Sequence, residues 1–321
     1  MEGGLVLGIL FSKQKLSFLF IFIVVGCGVE PPSPNKDQEY INLFLQRLDN
    51  YKASEEQSKF LKEQKINVKI SSLPEFGEGI FSRVTIIGIY IEEEIVLNRE
   101  VIELAEFVLE TDYKIIGIRA QEIIVAQLLP TLVHEIEHAM TDYKGEQQGV
   151  FVMGGFENEW ISYLADLKMF QEMYFENPNV FNDYNLYIQK QDAFKKYGRD
   201  LKTFKQYIGS FHKSALNLTP QEFNKTYQES SDAFLTAQRE INEVIKKNSP
   251  DHYQYQEMQD YKNFINQLIG TSKEFKKIFD SNPDLLEKNR EFFAPLILEA
   301  EANFVPFSET PTEVPSISMA Q

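Results

Sequence analysis

At 321 residues, 43% of them hydrophobic, the chain is long enough to bury a core without covalent staples, and its single cysteine, Cys27, excludes an intrachain disulfide. A formal charge of −16 disfavours phosphate backbones and anionic lipid as electrostatic partners. No nucleic-acid partner is expected.

The N-terminal segment comes first. Lys13 and Lys15 precede an apolar run over 16–25, too short for the roughly 20 apolar residues that a membrane-spanning helix needs. It has the length of a signal-peptide hydrophobic region behind a positive flank. The run closes in Val24-Val25-Gly26-Cys27, which resembles the lipobox of bacterial lipoproteins. That resemblance implies removal of residues 1–26, lipid on Cys27, and a mature protein attached to a membrane outside the cytoplasm. Gly28 after the cysteine, where an aspartate is lacking, favours the outer membrane in a Gram-negative cell. A second apolar run over 5–11, ahead of the lysines, leaves open an uncleaved anchor or a later start.

Residues 27–37 contain Pro31, Pro32 and Pro34 and read as a stiff tether. From Gln38 to about Lys65 the pattern is helical, with Tyr40, Ile41, Phe44, Leu48 and Tyr51 on one stripe. Ile66, Val68 and Ile70 alternate as a strand does. Residues 81–97 are rich in β-branched side chains and broken by Glu92-Glu93-Glu94, which predicts two strands and a turn. Arg99 to Leu109 reads as a helix, and the chain after Arg119 leads into another.

That next helix carries His134-Glu135-Ile136-Glu137-His138. His-Glu-x-x-His sets two imidazoles one turn apart, so both can meet one metal, and the intervening Glu135 stands where it can take a proton from water. Leu129, Leu132, Val133, Ile136 and Met140 form a core stripe, from which the two histidines point away. The expected picture is a helix with one side buried and His, Glu and His offered to a cleft. Pro130 predicts a start or a kink nearby, and Gly145 a stop.

Two histidines need a third protein ligand. After a glycine-containing loop over 145–155 comes a helix with the stripe Phe156, Trp160, Tyr163, Leu164, Leu167 and Phe170, bearing Asn158-Glu159-Trp160-Ile161-Ser162. His-Glu-x-x-His followed twenty residues later by Asn-Glu-x-x-Ser resembles the gluzincin pattern of thermolysin-like zinc metallopeptidases. The resemblance covers 134–163. It implies zinc as cofactor, Glu159 as third ligand with Glu157 as the alternative, and Glu135 as catalytic base. Thermolysin-like enzymes carry an aspartate four residues after the ligand glutamate to orient the first histidine. Tyr163 stands there in this chain, and Asp142 or Asp166 is the candidate substitute.

Beyond 156 the pattern is helical throughout. Thr219-Pro220-Gln221-Glu222 is a capping box opening a helix with Phe223, Tyr227, Phe234 and Ile241. Ser249-Pro250 opens another that Gly270 closes, and Thr271 and Asn282-Pro283 mark two further starts. His212 and His252 fall in no motif and read as surface residues; the resemblance to zincins, which often use a downstream His or Tyr to stabilise the oxyanion, leaves that role as the alternative.

The expected fold class is α+β, mostly α. A zincin-like catalytic core over 38–180, with a small sheet and the active-site helix, precedes a helical region over 181–303 and a disordered tail over 304–321. The strand ending in Ile95-Val96-Leu97-Asn98 is the candidate edge beside which a peptide would lie. The expected function is a zinc-dependent peptidase acting on peptide or protein substrates outside the cytoplasm. The alternative is a helical cell-envelope lipoprotein that binds a partner, with a structural or vestigial zinc site.

Overall fold

A computed structural model describes residues 34–71, 88–91, 94–186, 189–212, 214, 216–217, 219–247 and 253–309. The signal segment, Cys27, the residues expected to begin the strand pair over 81–87, Ser249-Pro250 and His252 lie outside the described residues.

The fold is α+β and mostly helical. Helix α1, Pro34–Leu48, starts with proline at a helix N-terminus, where the missing N–H costs nothing. The expected tether is therefore shorter than 27–37. A break at 49–54 separates α1 from α2, Glu55–Gln64, so the single expected helix is two.

Strands β1 (Asn67–Ser71), β2 (Gly88–Ile91) and β3 (Glu94–Asn98) form one sheet in the order β1-β3-β2, with β1 parallel and β2 antiparallel to β3. The described part of the expected strand pair is the β2–β3 hairpin. Its second strand, however, is central rather than an edge. Ile95, Val96, Leu97 and Asn98 are all buried, and strands on both sides occupy the backbone groups that a peptide would need. Among the described strands the edges are β1 and β2.

Helix α3, Arg99–Tyr113, is capped by the Asn98 side chain, which accepts from the Glu100 N–H at 3.1 Å. Helix α4, Ile118–Gln147, follows a turn at Gly117, and Pro130 sits inside it rather than at its start. Burial on every side holds α4 together across the proline. Gly145 does not stop it either. A Cβ at Gly145 would lie 2.2 Å from Val152 Cγ2 and 2.9 Å from the Val150 carbonyl, so glycine is required there by close approach of the returning chain. The stop is Gly149 at φ 66°, with the Val150 N–H donating to the Gly145 carbonyl (2.9 Å) and the Gly149 N–H to Glu146 (3.1 Å).

The returning chain forms α5, Phe156–Glu176, which packs along α4. Then come α6 (Pro178–Asn182), α7 (Gln189–Tyr197) and α8 (Leu201–Phe211). The main core joins α1 to α5 and extends through Phe194, Phe204 and Ile208, so α7 and α8 belong with the first part of the chain.

Helices α9 (Pro220–Lys247), α10 (Tyr253–Ser281) and α11 (Leu285–Ala302) form a second cluster around Phe223, Phe279, Leu285, Phe292 and Phe293. The capping box is present: the Glu222 N–H donates to Thr219 Oγ1 at 3.2 Å and the Thr219 N–H to Glu222 Oε2 at 2.8 Å. Gly270 and Thr271 neither end nor begin a helix, since α10 runs through both. A lone glycine inside a helix costs about 1 kcal/mol, which the packing of Ile269 and Phe279 on either side offsets.

The expected disordered tail begins with ordered chain. Phe307 is buried in the main core, its N–H donates to the Gly198 carbonyl at 2.8 Å, and Ser308 exchanges hydrogen bonds with Gln171. Residues 310–321 lie outside the described residues. No helix among the described residues is long and apolar enough to cross a membrane.

Candidate metal centre

Helices α4 and α5 meet along a polar seam. One turn apart on α4, His134 and His138 face Glu159, Ser162 and Asp166, which repeat at helical spacing on one face of α5. The His134 Nε2 and His138 Nε2 atoms are 3.2 Å apart. Glu159 reaches both, with Oε2 3.3 Å from His134 Nε2 and Oε1 3.7 Å from His138 Nε2.

The opposite ring nitrogens point at partners on α5. His138 Nδ1 lies 3.2 Å from Ser162 Oγ, and His134 Nδ1 lies 3.6 Å from Asp166 Oδ2, about half an ångström beyond a normal hydrogen bond. Ring orientation thus leaves both Nε2 atoms converging on one point with the Glu159 carboxylate.

The cluster His134, His138 and Glu159 can hold a metal ion, all three ligand atoms lying within 4.8 Å of one another. Compared with protein-family models, with curated proteins and with solved structures, the chain matches none. The reading of the site therefore rests on its geometry and chemistry.

The donor set fits a tetrahedral ion. Zinc–nitrogen bonds of 2.0–2.1 Å put two ligands roughly 3.3 Å apart, against separations of 3.2, 3.3 and 3.7 Å here. Imidazole and carboxylate also suit other divalent first-row metals.

Glu157, the alternative ligand, turns away and accepts a hydrogen bond from Ser214 Oγ. Asp166 takes the side of His134 that the substitute aspartate was expected to take. Asp142 makes no ion pair with either histidine, and burial, then Glu146, push its carboxyl well above the usual range. Tyr163 packs its ring edge-on against His134, with centroids 4.7 Å apart.

His134, Glu135 and His138 are 4%, 7% and 7% exposed, because α5 brings a polar face of its own against the one α4 was expected to offer to solvent. The helical wheel reported the direction of that face and not what covers it.

Three participants escaped the sequence. Ser162 stood in the motif but was given no role. Lys190 on α7 has no local signal; its Nζ lies 3.1 Å from Asp166 Oδ2 and 5.1 Å from the centre of the Tyr163 ring. His212, expected at the surface, is partly buried at the end of α8 with Nε2 3.9 Å from Glu159 Oε2.

The electrostatics favour a cation. Burial and the Lys190 ammonium press His134 toward its neutral form, yet Asp166, Glu159 and Glu135 prevail and lift it to about 9. Burial alone would raise Glu159, but His134, His138 and His212 hold it far below the usual carboxylate range. Lys190, which burial would deprotonate, is kept well above the usual lysine range by Asp166, then Tyr163 and Glu135. Three carboxylates around two imidazoles and one lysine leave negative charge that a divalent ion would balance.

Proposed function

We propose that the chain is a zinc-dependent peptidase of gluzincin type, held outside the cytoplasm by lipid on Cys27. The observation that carries this reading is the convergence of His134 Nε2, His138 Nε2 and Glu159 on one point, with Glu135 beside His134. His134, His138 and Glu159 would hold the zinc ion, which would supply Lewis-acid chemistry there. Glu135 accepts the proton of the attacking water and delivers it to the leaving amine nitrogen. Asp166 and Ser162 hold the histidine rings in register, and Lys190 pairs with Asp166. The membrane attachment rests on Val24-Val25-Gly26-Cys27.

A second reading is favoured by one observation, the near-complete burial of Glu135 and both histidines. A helical lipoprotein with a structural or vestigial zinc site would bury them so. Casein hydrolysis by the purified full chain, with and without a chelator, separates the two. Chelator-sensitive cleavage that Glu135→Gln abolishes while zinc content is kept supports the peptidase. Zinc-loaded protein with no cleavage supports the lipoprotein.

A further inference from the structure

Four of the six large apolar side chains more than half exposed among the described residues lie close together in the chain: Leu104 (51%), Phe107 (62%), Ile116 (69%) and Ile118 (63%). Leu104 and Phe107 are neighbours on the outer face of α3, whose opposite face buries Ile102, Ala105, Val108 and Leu109. The turn that follows folds back on α3 through the Ile115 N–H, which donates to the Leu109 carbonyl at 2.9 Å. It carries Ile116 and delivers Ile118 as the first residue of α4.

The start of α1 lands on this same region. Lys36 Nζ pairs with Glu106 at 2.6 Å, Tyr40 OH donates to Glu106 at 2.8 Å, and Gln121 Nε2 reaches Glu39 at 3.4 Å. Arg99 pairs with Asp37. The chain therefore enters the fold beside Glu106, next to Phe107, and beside Gln121, three residues after Ile118. Only six residues, 28–33, separate Cys27 from Pro34, a reach of at most about 25 Å even fully extended.

From this geometry we infer that the Leu104–Phe107–Ile116–Ile118 face rests on the bilayer to which Cys27 is anchored. The inference rests on the lipid-anchor reading of Cys27. A short tether ending beside exposed apolar side chains brings those side chains to the lipid surface, and burying them there removes apolar area from water. Glu110 and Asp112 are exposed at the rim, as are Lys114 and Arg119 at the turn. That mixture favours an uncharged headgroup layer over an anionic one, with the two basic side chains able to extend toward phosphate.

Because Cys27 is the only cysteine, an acylated chain offers no other thiol, and an introduced cysteine can be labelled uniquely. The test uses the full chain purified from membranes, with Phe107→Cys, Ile116→Cys or, as reference on α9, Glu243→Cys. Each variant carries an environment-sensitive fluorophore and is reconstituted into phosphatidylcholine vesicles with and without brominated acyl chains. Bromine should quench the labels at 107 and 116 several-fold more than the label at 243. Equal quenching at all three positions in an acylated chain overturns the inference and leaves the anchor intact. So does a 107–107 cross-link between copies without bromine quenching, which would assign the face to a second copy. Mass analysis of the Cys27 peptide showing no acyl group overturns the anchor reading and this inference together.

Discussion

Helices α4 and α5 make one long pair and α9 and α10 another, and the two pairs bury different chemistry. Between α9 and α10 the described buried side chains are Phe223, Phe234, Ile265, Ile269 and Phe279, with Ser272 the polar exception. Between and around α4 and α5, His134, Glu135, Glu137, His138, Thr141, Asn158, Ser162 and Asp166 are all buried. Several of their atoms lack a hydrogen-bond partner, among them His134 Nδ1, Asp166 Oδ1 and both amide atoms of Asn158. Burying a polar group without a partner costs on the order of 1–3 kcal/mol, and apolar residues in its place are often the more stable choice. Among its described residues the second pair buries almost only apolar side chains. The first accepts a cost that packing does not explain, which is what a ligand-holding site requires.

The sharpest way to break that comparison is to separate chemistry from metal binding. Glu135→Gln should lower peptide turnover by about 10²- to 10⁴-fold with zinc content unchanged, because an amide cannot accept the water's proton. Wild-type turnover by this variant would remove Glu135, and the seam with it, from catalysis.

Next in size are the ligands. Metal analysis should find about one zinc per chain in the wild type, as one three-ligand site allows. His134→Ala or His138→Ala should abolish retention through dialysis, and Glu159→Gln should weaken it. Glu157→Gln should leave it unchanged, because that carboxylate is turned toward Ser214. Retention by Glu159→Gln and loss by Glu157→Gln would mean that the third ligand is misassigned.

Positioning residues come third. Asp166→Asn should weaken zinc affinity by roughly 10- to 100-fold, the usual cost of losing a partner behind a ligating histidine. Asp142→Asn should leave affinity unaltered. Equal effects of the two in a competition titration would show that Asp166 does not act through His134.

The fourth expectation concerns pH in the metal-free protein. His134 rises from 6.5 to about 9 on folding. A raised value means stability that is fully present below pH 6.5 and lost as pH climbs through about 9. Urea midpoints of the apoprotein should fall across that window, and the fall should be smaller in His134→Ala. The smallest effect belongs to the other helix pair: Leu235→Ser, at an exposed site on α9, should change stability by no more than about 0.5 kcal/mol. A large loss there would mean that α9 is covered in solution.

What the sequence determined by itself was local and periodic. The Thr219–Glu222 box and the β2–β3 pairing were legible because each depends on residues close in the chain. The pairing of His134 with His138 was legible for the same reason, since four residues make one helical turn. Glycines read alone misled: Gly145 and Gly270 both lie within helices, where packing outweighs intrinsic propensity.

Only the tertiary structure decided what stands opposite the motif. It selected Asp166 over Asp142, turned Glu157 aside, and brought Lys190 and His212 to the cluster from α7 and the end of α8. It also placed β3 between β1 and β2 and packed a polar face of α5 against the motif face of α4. Helical periodicity fixes the direction of a side chain relative to its own axis. Which element fills that direction depends on long-range packing, and no spacing along the chain encodes it.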